Sequence, residues 1–389
     1  MGESTFPIEE YTAKGAFHTI REIKQQPSLW IEIYKEILSK SHTILAFIEK
    51  ALSGGNTHIL LAGAGTSGYV GFISEGYLRR KLSLNVKAQE SPDIVASPHD
   101  HIVHENPLLL VSHARSGDSP ESLAVVKLVE KMAKQPFFLN ITCNRNGRLA
   151  RYGEGKENFL NIILPEKAND KGFAMTSSFT SMLLVDLLIP ELKNPKDAEE
   201  KVRKISSEAS RILSRDSNRI REIAEREFER AIFLGSGGLK GLAAEASLKM
   251  LELSRGIIAS TYNSPLALRH GPKAFINKKS LVVAFLSNNY YTWRYEVDFL
   301  EELASDENKG TIVVFTPFKN RINEADYVFY LEEDFSDIEP EFLALPYAVY
   351  AQLLALYKSL SLGITPDNPY PEGRLSRVVR EFKIYDIPQ

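Results

Sequence analysis

A single cysteine, Cys143, in 389 residues excludes an intramolecular disulfide framework and fits a reducing compartment. No segment approaches the ~20 uninterrupted apolar residues of a membrane span. The opening MGESTFPIEEYTAKG has neither the basic stretch nor the apolar run of a secretory signal. The expectation is a soluble cytoplasmic protein with no membrane partner. Neither sign of charge dominates: 47 Lys and Arg against 50 Asp and Glu leave a net charge of −3, which gives no electrostatic case for binding nucleic acid. The Gly-Lys-Ser/Thr ending of a P-loop is missing from the glycine-rich turns, which also make no convincing dinucleotide fingerprint. What is present, 43% hydrophobic and 25% charged residues, is an ordinary globular composition in a chain long enough for two domains.

The organisation is that of a diverged repeat. Residues 58–71, HILLAGAGTSGYVG, read strand, glycine-rich turn, helix start, and residues 231–246, AIFLGSGGLKGLAAEA, read the same. Gly235 follows Gly63 by about 170 residues, the length of one domain. Each half continues with strand and helix patterns in alternation, PLLLVSHA before SPESLAVVKLVEKM and SLVVAFLS before YTWRYEVDFLEELASD, which argues for two parallel α/β sheets. Residues 16–52, with periodic apolar positions from Ile20 to Phe47, are predicted to be helices packing onto the first half. The charge-rich, glycine-free stretch from Lys193 to Arg230 is predicted to be a helical connector. The expected divisions are an N-terminal helical segment (1–48), a first domain (49–205), a connector (206–230), a second domain (231–365) and a tail (366–389) that completes the site.

Leu234–Lys273 is the most informative segment. At 3.6 residues per turn, Leu242, Ala246, Met250 and Leu253 fall along one line of a helix, with Leu248 and Leu251 nearly opposite. A helix apolar around most of its circumference is buried, yet Glu245, Lys249 and Glu252 form one charged stripe along it. The plain reading is a solvated edge with a Glu-to-Lys pair contributing roughly 0.2–0.5 kcal/mol. The flanks argue otherwise. GSGG at 235–238 opens the helix as a turn that presents backbone N–H groups to an anion. Arg269-His270-Gly271-Pro272 ends the following segment with a sharp stop, making His270 an acid/base candidate.

Two loops in the first half suit phosphate. In GAGTSG, Gly65 lets backbone amides approach an anion, and Thr66 and Ser67 add hydroxyls at a helix N-terminus. In SHARSGDSPES, from Ser112 to Ser122, Ser119-Pro120-Glu121 has the order of an N-cap, N1 and N2, so Ser119 either caps the helix or holds an anion. Both loops follow strands of one sheet, and ligands of open α/β sheets bind at that edge.

GAGTS, ARSGDSPES, EASLKMLELS and RHGP occur in the order found in double SIS-domain (sugar isomerase) proteins, which include the isomerase half of glutamine-dependent glucosamine-6-phosphate synthase. FAMTSSFTSM at 173–182, SGDSPES and DNPYPEGRLSRVV resemble a narrower group, the tagatose-6-phosphate ketose/aldose isomerase family, associated with galactosamine-6-phosphate deamination. The resemblance implies an α/β fold of two SIS domains, each a parallel sheet flanked by helices in a flavodoxin-like three-layer sandwich. It also implies that Thr66, Ser67, Ser116 and Ser119 hold a sugar phosphate, with Gly65, Arg115, Asp118 and Arg377 as further substrate-binding positions. Glu252 matches the C1/C2 proton-shuttling base, His270 the ring-opening acid/base and Lys249 an assisting residue; Glu245 is read as structural. The implied partners are a hexose or hexosamine 6-phosphate and a second copy of the chain, a homodimer or higher oligomer in which the neighbour contributes the histidine. No metal or redox cofactor is required.

The chain departs from the synthase in three places. Ala114 stands where the synthase has a serine, with Arg115 expected to compensate as a cation. Met175 replaces a small polar sugar contact. Arg377 stands in place of the Schiff-base lysine and, unable to form an imine, is expected to orient open-chain hydroxyls. Three readings stay open: a deaminating isomerase that forms tagatose 6-phosphate and ammonia, a plain aldose/ketose isomerase, and a non-catalytic phosphosugar sensor, which the pairing of Glu252 with His270 disfavours. His99, Asp100, His101 and His104 in PHDHIVH could supply zinc ligands but are read as a solvated loop, and Cys143 as structural.

Overall fold

A computed structural model describes residues 8–319, 322–377 and 382–386. The chain divides into two compact units, one of residues 32–169, 177–198 and 372–389, the other of residues 1–31, 170–176 and 199–371. Each carries one sheet, and in both sheets every strand pair is parallel.

The first sheet comprises β1 (His58–Gly63), β2 (Asn85–Glu90), β3 (Leu108–Ala114), β4 (Pro136–Thr142) and β5 (Phe159–Ile163), in the order β2-β1-β3-β4-β5. LLLVSHA of β3 is buried along its whole length, as expected of a central strand covered on both faces. Leu60, Leu110, Val126 and Phe138 anchor one face of this core. The second sheet comprises β6 (Arg230–Gly235), β7 (Ala259–Asn263), β8 (Ser280–Phe285), β9 (Thr311–Thr316) and β10 (Tyr327–Tyr330), in the order β10-β9-β8-β6-β7. Read from its other edge, that is the first order again, so the repeat seen in the sequence is a repeat of topology. Chain direction across each sheet reverses at the first strand, between β1 and β3 and between β6 and β8, where ligands of such sheets sit.

The glycine turns repeat down to the backbone. Gly65 has φ 54° and ψ −125° and Gly237 has φ 57° and ψ −132°, conformations open only to glycine without strain. A Cβ on Gly63 would lie 2.4 Å from the Ser67 carbonyl, and one on Gly235 would lie 2.3 Å from that of Leu239. Both turns therefore require glycine at the strand end and again at the helix N-cap.

The N-terminal helices divide between the units. Phe47 of the Ser41–Leu52 helix packs edge-on against Phe137 of β4 at 6.0 Å, within the first unit as the sequence suggests. The start of the Phe17–Ser39 helix belongs to the second unit. There the Gln26 amide donates to Gln352 at 2.7 Å, and Asp367 accepts from the His18 and Thr19 amides. Apolar periodicity shows that this helix buries a face but not against which half; long-range polar bonds decide it. The charged stretch beyond Lys193 is more than a solvated linker. Ala198, Val202, Ile205, Ala209 and Ile220 are buried, on helices Pro195–Arg211 and Ser217–Glu225, because polar residues dominate only their outward faces.

Glu22 is buried in the second unit, where its carboxylate accepts the amides of Lys171 and Gly172. Burial, reinforced by Asp170 and Asp367, pushes its pKa up to about 8 against the pull of those amides. A carboxyl whose folded value lies above its unfolded value holds a proton that the unfolded chain has lost, so its contribution falls as pH rises through that window. Glu22→Gln is therefore expected to flatten the decline of the melting temperature between about pH 4.5 and 8; thermal melts across this range would show an unchanged slope if Glu22 were not the titrating group.

Candidate active site

In the first unit, β1 and β3 are adjacent, so the turn after one and the loop after the other emerge side by side at the same sheet edge. The turn leads into the Thr66–Leu82 helix with Gly65 at the N-cap and no capping side chain. Such an uncapped N-terminus presents amides and the positive end of the helix dipole. Thr66 and Ser67 are nearly buried there.

The loop after β3 is braced from behind by the segment following β4. Asn144 Nδ2 donates to the Ser116 carbonyl at 2.9 Å, Thr142 Oγ1 donates to the Arg115 carbonyl at 3.4 Å, and the Leu149 amide donates to the Gly117 carbonyl at 2.9 Å. Asp118 takes part in this bracing, its carboxylate accepting from the Arg148 amide at 3.0 Å and from Asn144 at 3.3 Å. Ser116 Oγ accepts the Asp118 amide at 3.2 Å, leaving its own O–H to donate. Ser119 occupies the N-cap position of the Pro120–Met132 helix, but its side chain makes no capping bond; its hydroxyl pairs with that of Ser122 at 2.7 Å. Of the two roles open to Ser119, capping is thus not used.

Arg115 is almost fully buried, and one guanidinium N–H donates to the Arg377 carbonyl at 2.7 Å. The cation expected to replace the serine missing at Ala114 is partly committed to holding the C-terminal segment. The backbone of Arg377 is thereby brought to this loop.

In the second unit the Gly238–Leu253 helix is buried around most of its surface. Lys249 lies inside at 1% side-chain exposure, its ammonium 3.6 Å from Glu245, also inside, and in a closer ion pair with Glu252. Glu252 reaches a side-chain exposure of 24%. The stripe is therefore a graded row, with two charges sealed in the core and one at the rim. A buried ammonium costs several kcal/mol unless its partners are close, and two carboxylates on the same helix face supply them.

His270 follows the short Pro265–Leu268 helix, capped by Ser264, and is exposed; its side chain makes no hydrogen bond among the described residues. Arg269 beside it is engaged, 2.9 Å from Asp298 and 2.6 Å from Glu302. Met175 follows Ala174, which packs against Leu253 at the end of the charged helix.

Three features escaped sequence reasoning. His113 Nε2 of β3 donates to the Asp186 carboxylate at 3.0 Å, and Ser74 donates to the same carboxylate at 2.6 Å, all three buried. They tie the end of β3 to two helices just before the loop of Arg115 to Ser119. Glu90, at the end of β2, accepts the Gly65 amide, and burial raises its pKa. Glu296 meets the second glycine turn through the Ser236 hydroxyl. A polar residue within an apolar run, as in LLLVSHA, is the only sequence signal for the first; pairing partners 73 and 112 residues away carry none.

The histidine cluster lines a cavity of about 490 Å³ with His58 and Lys87, at the N-terminal edge of the first sheet. His99 and His104 stack with ring centres 5.7 Å apart, while His101 lies 3.4 Å from the Lys87 ammonium. Among the described residues no group of three His, Cys, Asp or Glu is arranged to hold a metal ion. Cys143 is buried, its thiol 3.6 Å from the Ala168 carbonyl. No helix of the described residues is long and apolar enough to cross a membrane.

A SIS domain model matches residues 52–189. The chain is 37% identical over 384 residues to the D-galactosamine-6-phosphate deaminase AgaS of Shewanella sp. (strain ANA-3), covering 97% of this chain and 94% of that one. It is 36% identical over 389 residues to the protein of that name from Escherichia coli O157:H7, covering 97% and 98%. The crystal structure of tagatose-6-phosphate ketose/aldose isomerase from Escherichia coli superposes with a TM-score of 0.84 at 34% identity, over 90% of this chain and 94% of that one. Alignment across nearly the full chain, the duplicated parallel sheet and the paired glycine turns agree: the chain belongs to the AgaS family of double SIS-domain phosphosugar deaminases and isomerases.

Proposed function

We propose that the chain converts D-galactosamine 6-phosphate and water to D-tagatose 6-phosphate and ammonia. The observation that carries this reading is the Lys249–Glu252 ion pair, a rim carboxylate held by a core ammonium, in a chain whose relatives bear the deaminase name. A phosphosugar sensor needs the loops but has no use for a charged pair that is expensive to bury.

Thr66, Ser67, Ser116 and Ser119 bind the phosphate through hydroxyls and helix N-terminal amides, a setting that favours a dianion. Arg115 and Asp118 shape the loop, and Arg377 faces the open-chain hydroxyls. His270 passes a proton between the ring oxygen and the C1 hydroxyl as the ring opens. Glu252 removes the C2 proton and returns it to C1. The resulting imine at C2 takes up water and releases ammonia, leaving the ketose. Lys249 fixes the orientation of Glu252 and lies on the side of the amine. General acid–base steps of this kind each contribute roughly 10²- to 10⁴-fold. The exposure of His270 supports its delivery to a neighbouring copy, which makes the active unit a homodimer in the cytoplasm.

With galactosamine 6-phosphate, purified protein is expected to release ammonia and ketose in equal amounts, and neutral galactose 6-phosphate to turn over far more slowly. Ketose from the neutral sugar without ammonia from the amino sugar would favour the plain isomerase instead. Lys249→Met is expected to cost about 3–5 kcal/mol of stability, since it removes the buried ammonium that pairs with Glu245 and Glu252. Glu252→Gln, at the rim, should cost no more than about 1 kcal/mol; equal losses in denaturant titrations would refute the graded row.

A further inference from the structure

The two glycine turns share backbone geometry but not chemistry. Thr66 and Ser67 of the first correspond to Gly238 and Leu239 of the second, and Leu239 is completely buried. Hydroxyl donors after the N-cap glycine have thus been exchanged for a glycine and a core side chain. In place of Ala64 stands Ser236.

The helix after the central strand differs in the same sense. In the second unit Asn289 is the N-cap of the Tyr290–Ala304 helix, and its side chain accepts the Thr292 amide at 3.2 Å. Ser119, at the equivalent place in the first, leaves its helix uncapped.

Between the second turn and the end of β8 lies Glu296, 1% exposed. Its Oε2 accepts the Ser287 amide at 2.8 Å, and the Ser236 hydroxyl also stabilises the charged form, whereas burial pushes the pKa up to about 7. Oε1 is buried with no hydrogen-bond partner among the described residues. Ser236 belongs to the turn after β6 and Ser287 follows β8, an adjacent strand. They are the counterparts of the two loops flanking the phosphate position after β1 and β3. A carboxyl group spans the same two loops in this unit, and it comes from the chain itself.

We propose that the Glu296 carboxylate occupies, in the second domain, the position that the substrate phosphate takes in the first, so that this turn is a filled copy of an anion site and each chain binds one phosphate. The assignment rests on the phosphate reading of the first domain. A resident carboxylate explains why the second turn keeps a backbone suited to an anion while lacking the two hydroxyls after the N-cap glycine and carrying one, on Ser236, that meets Glu296. It also ties the start of the helix that bears Lys249 and Glu252 to the neighbouring strand.

Equilibrium dialysis against inorganic phosphate tests this directly. Wild-type protein is expected to bind one phosphate per chain, and Glu296→Ala and Glu296→Ser two, the truncations having emptied the second cradle. Glu296→Gln, which keeps the shape, should remain at one. In the background Ser116→Ala with Ser119→Ala, the original site should be lost and the gained one kept. Absence of phosphate from wild-type protein would contradict the first-domain reading alone; no gain in the truncated variants would overturn the Glu296 assignment alone. If the truncations need an anion to fold, phosphate should restore them where chloride does not, and variants that fold in neither salt overturn the proposal as well.

Discussion

The burial of one ammonium group sets the terms for the rest of this fold. Lys249 sits in the core of a helix that would otherwise be apolar, and an ion there is tolerated only with carboxylates at contact distance. Glu245 and Glu252 meet that demand from one turn before and one turn after. The helix must then be fixed tightly enough to hold three charges in line, and the glycine turn at its start and the Ala344–Ser361 helix packed along it do so. The outer member of the row, Glu252, gains a defined orientation at a partly exposed position, as a proton-transferring carboxylate requires.

Duplication supplies the remaining architecture. Two sheets of identical order, each with a glycine-required turn at its switch point, give two candidate anion sites from one ancestral plan. Their side chains then diverge. The first glycine turn keeps hydroxyls after its N-cap and the helix after β3 goes uncapped; in the second unit Gly238 and Leu239 follow the N-cap, Asn289 caps the helix after β8, and a buried glutamate meets the turn. In the proposed reaction, the hydroxyl-bearing turn holds the substrate's charge and the helix with Lys249 and Glu252 moves its proton.

Much of this was legible in the sequence because it depends on local rules. Alternating patterns give the parallel sheets, GAGTSG and GSGG give the turns, and period 3.6 gives the buried helix with its charged stripe. Features set by long-range pairing were not legible. Asp186 reads as one acid in an apolar helix until His113 and Ser74 meet it. Glu296 reads as a surface residue of an aromatic helix until the fold brings Ser287 to it. Arg115 looks like a free phosphate ligand, and only the folded chain shows it holding the Arg377 carbonyl. Ser119 satisfied the sequence pattern of a cap without acting as one, because an N-cap position does not fix where its hydroxyl points.

The central claim is that Glu252 carries the proton at C2 and has no part in binding the phosphate. Single-turnover experiments with galactosamine 6-phosphate deuterated at C2 address it most directly, with affinity measured in parallel by calorimetry. The account predicts that wild-type protein removes the C2 label, and that Glu252→Gln binds the sugar phosphate with unchanged affinity yet leaves the label in place. Loss of the label from the variant at the wild-type rate would contradict it.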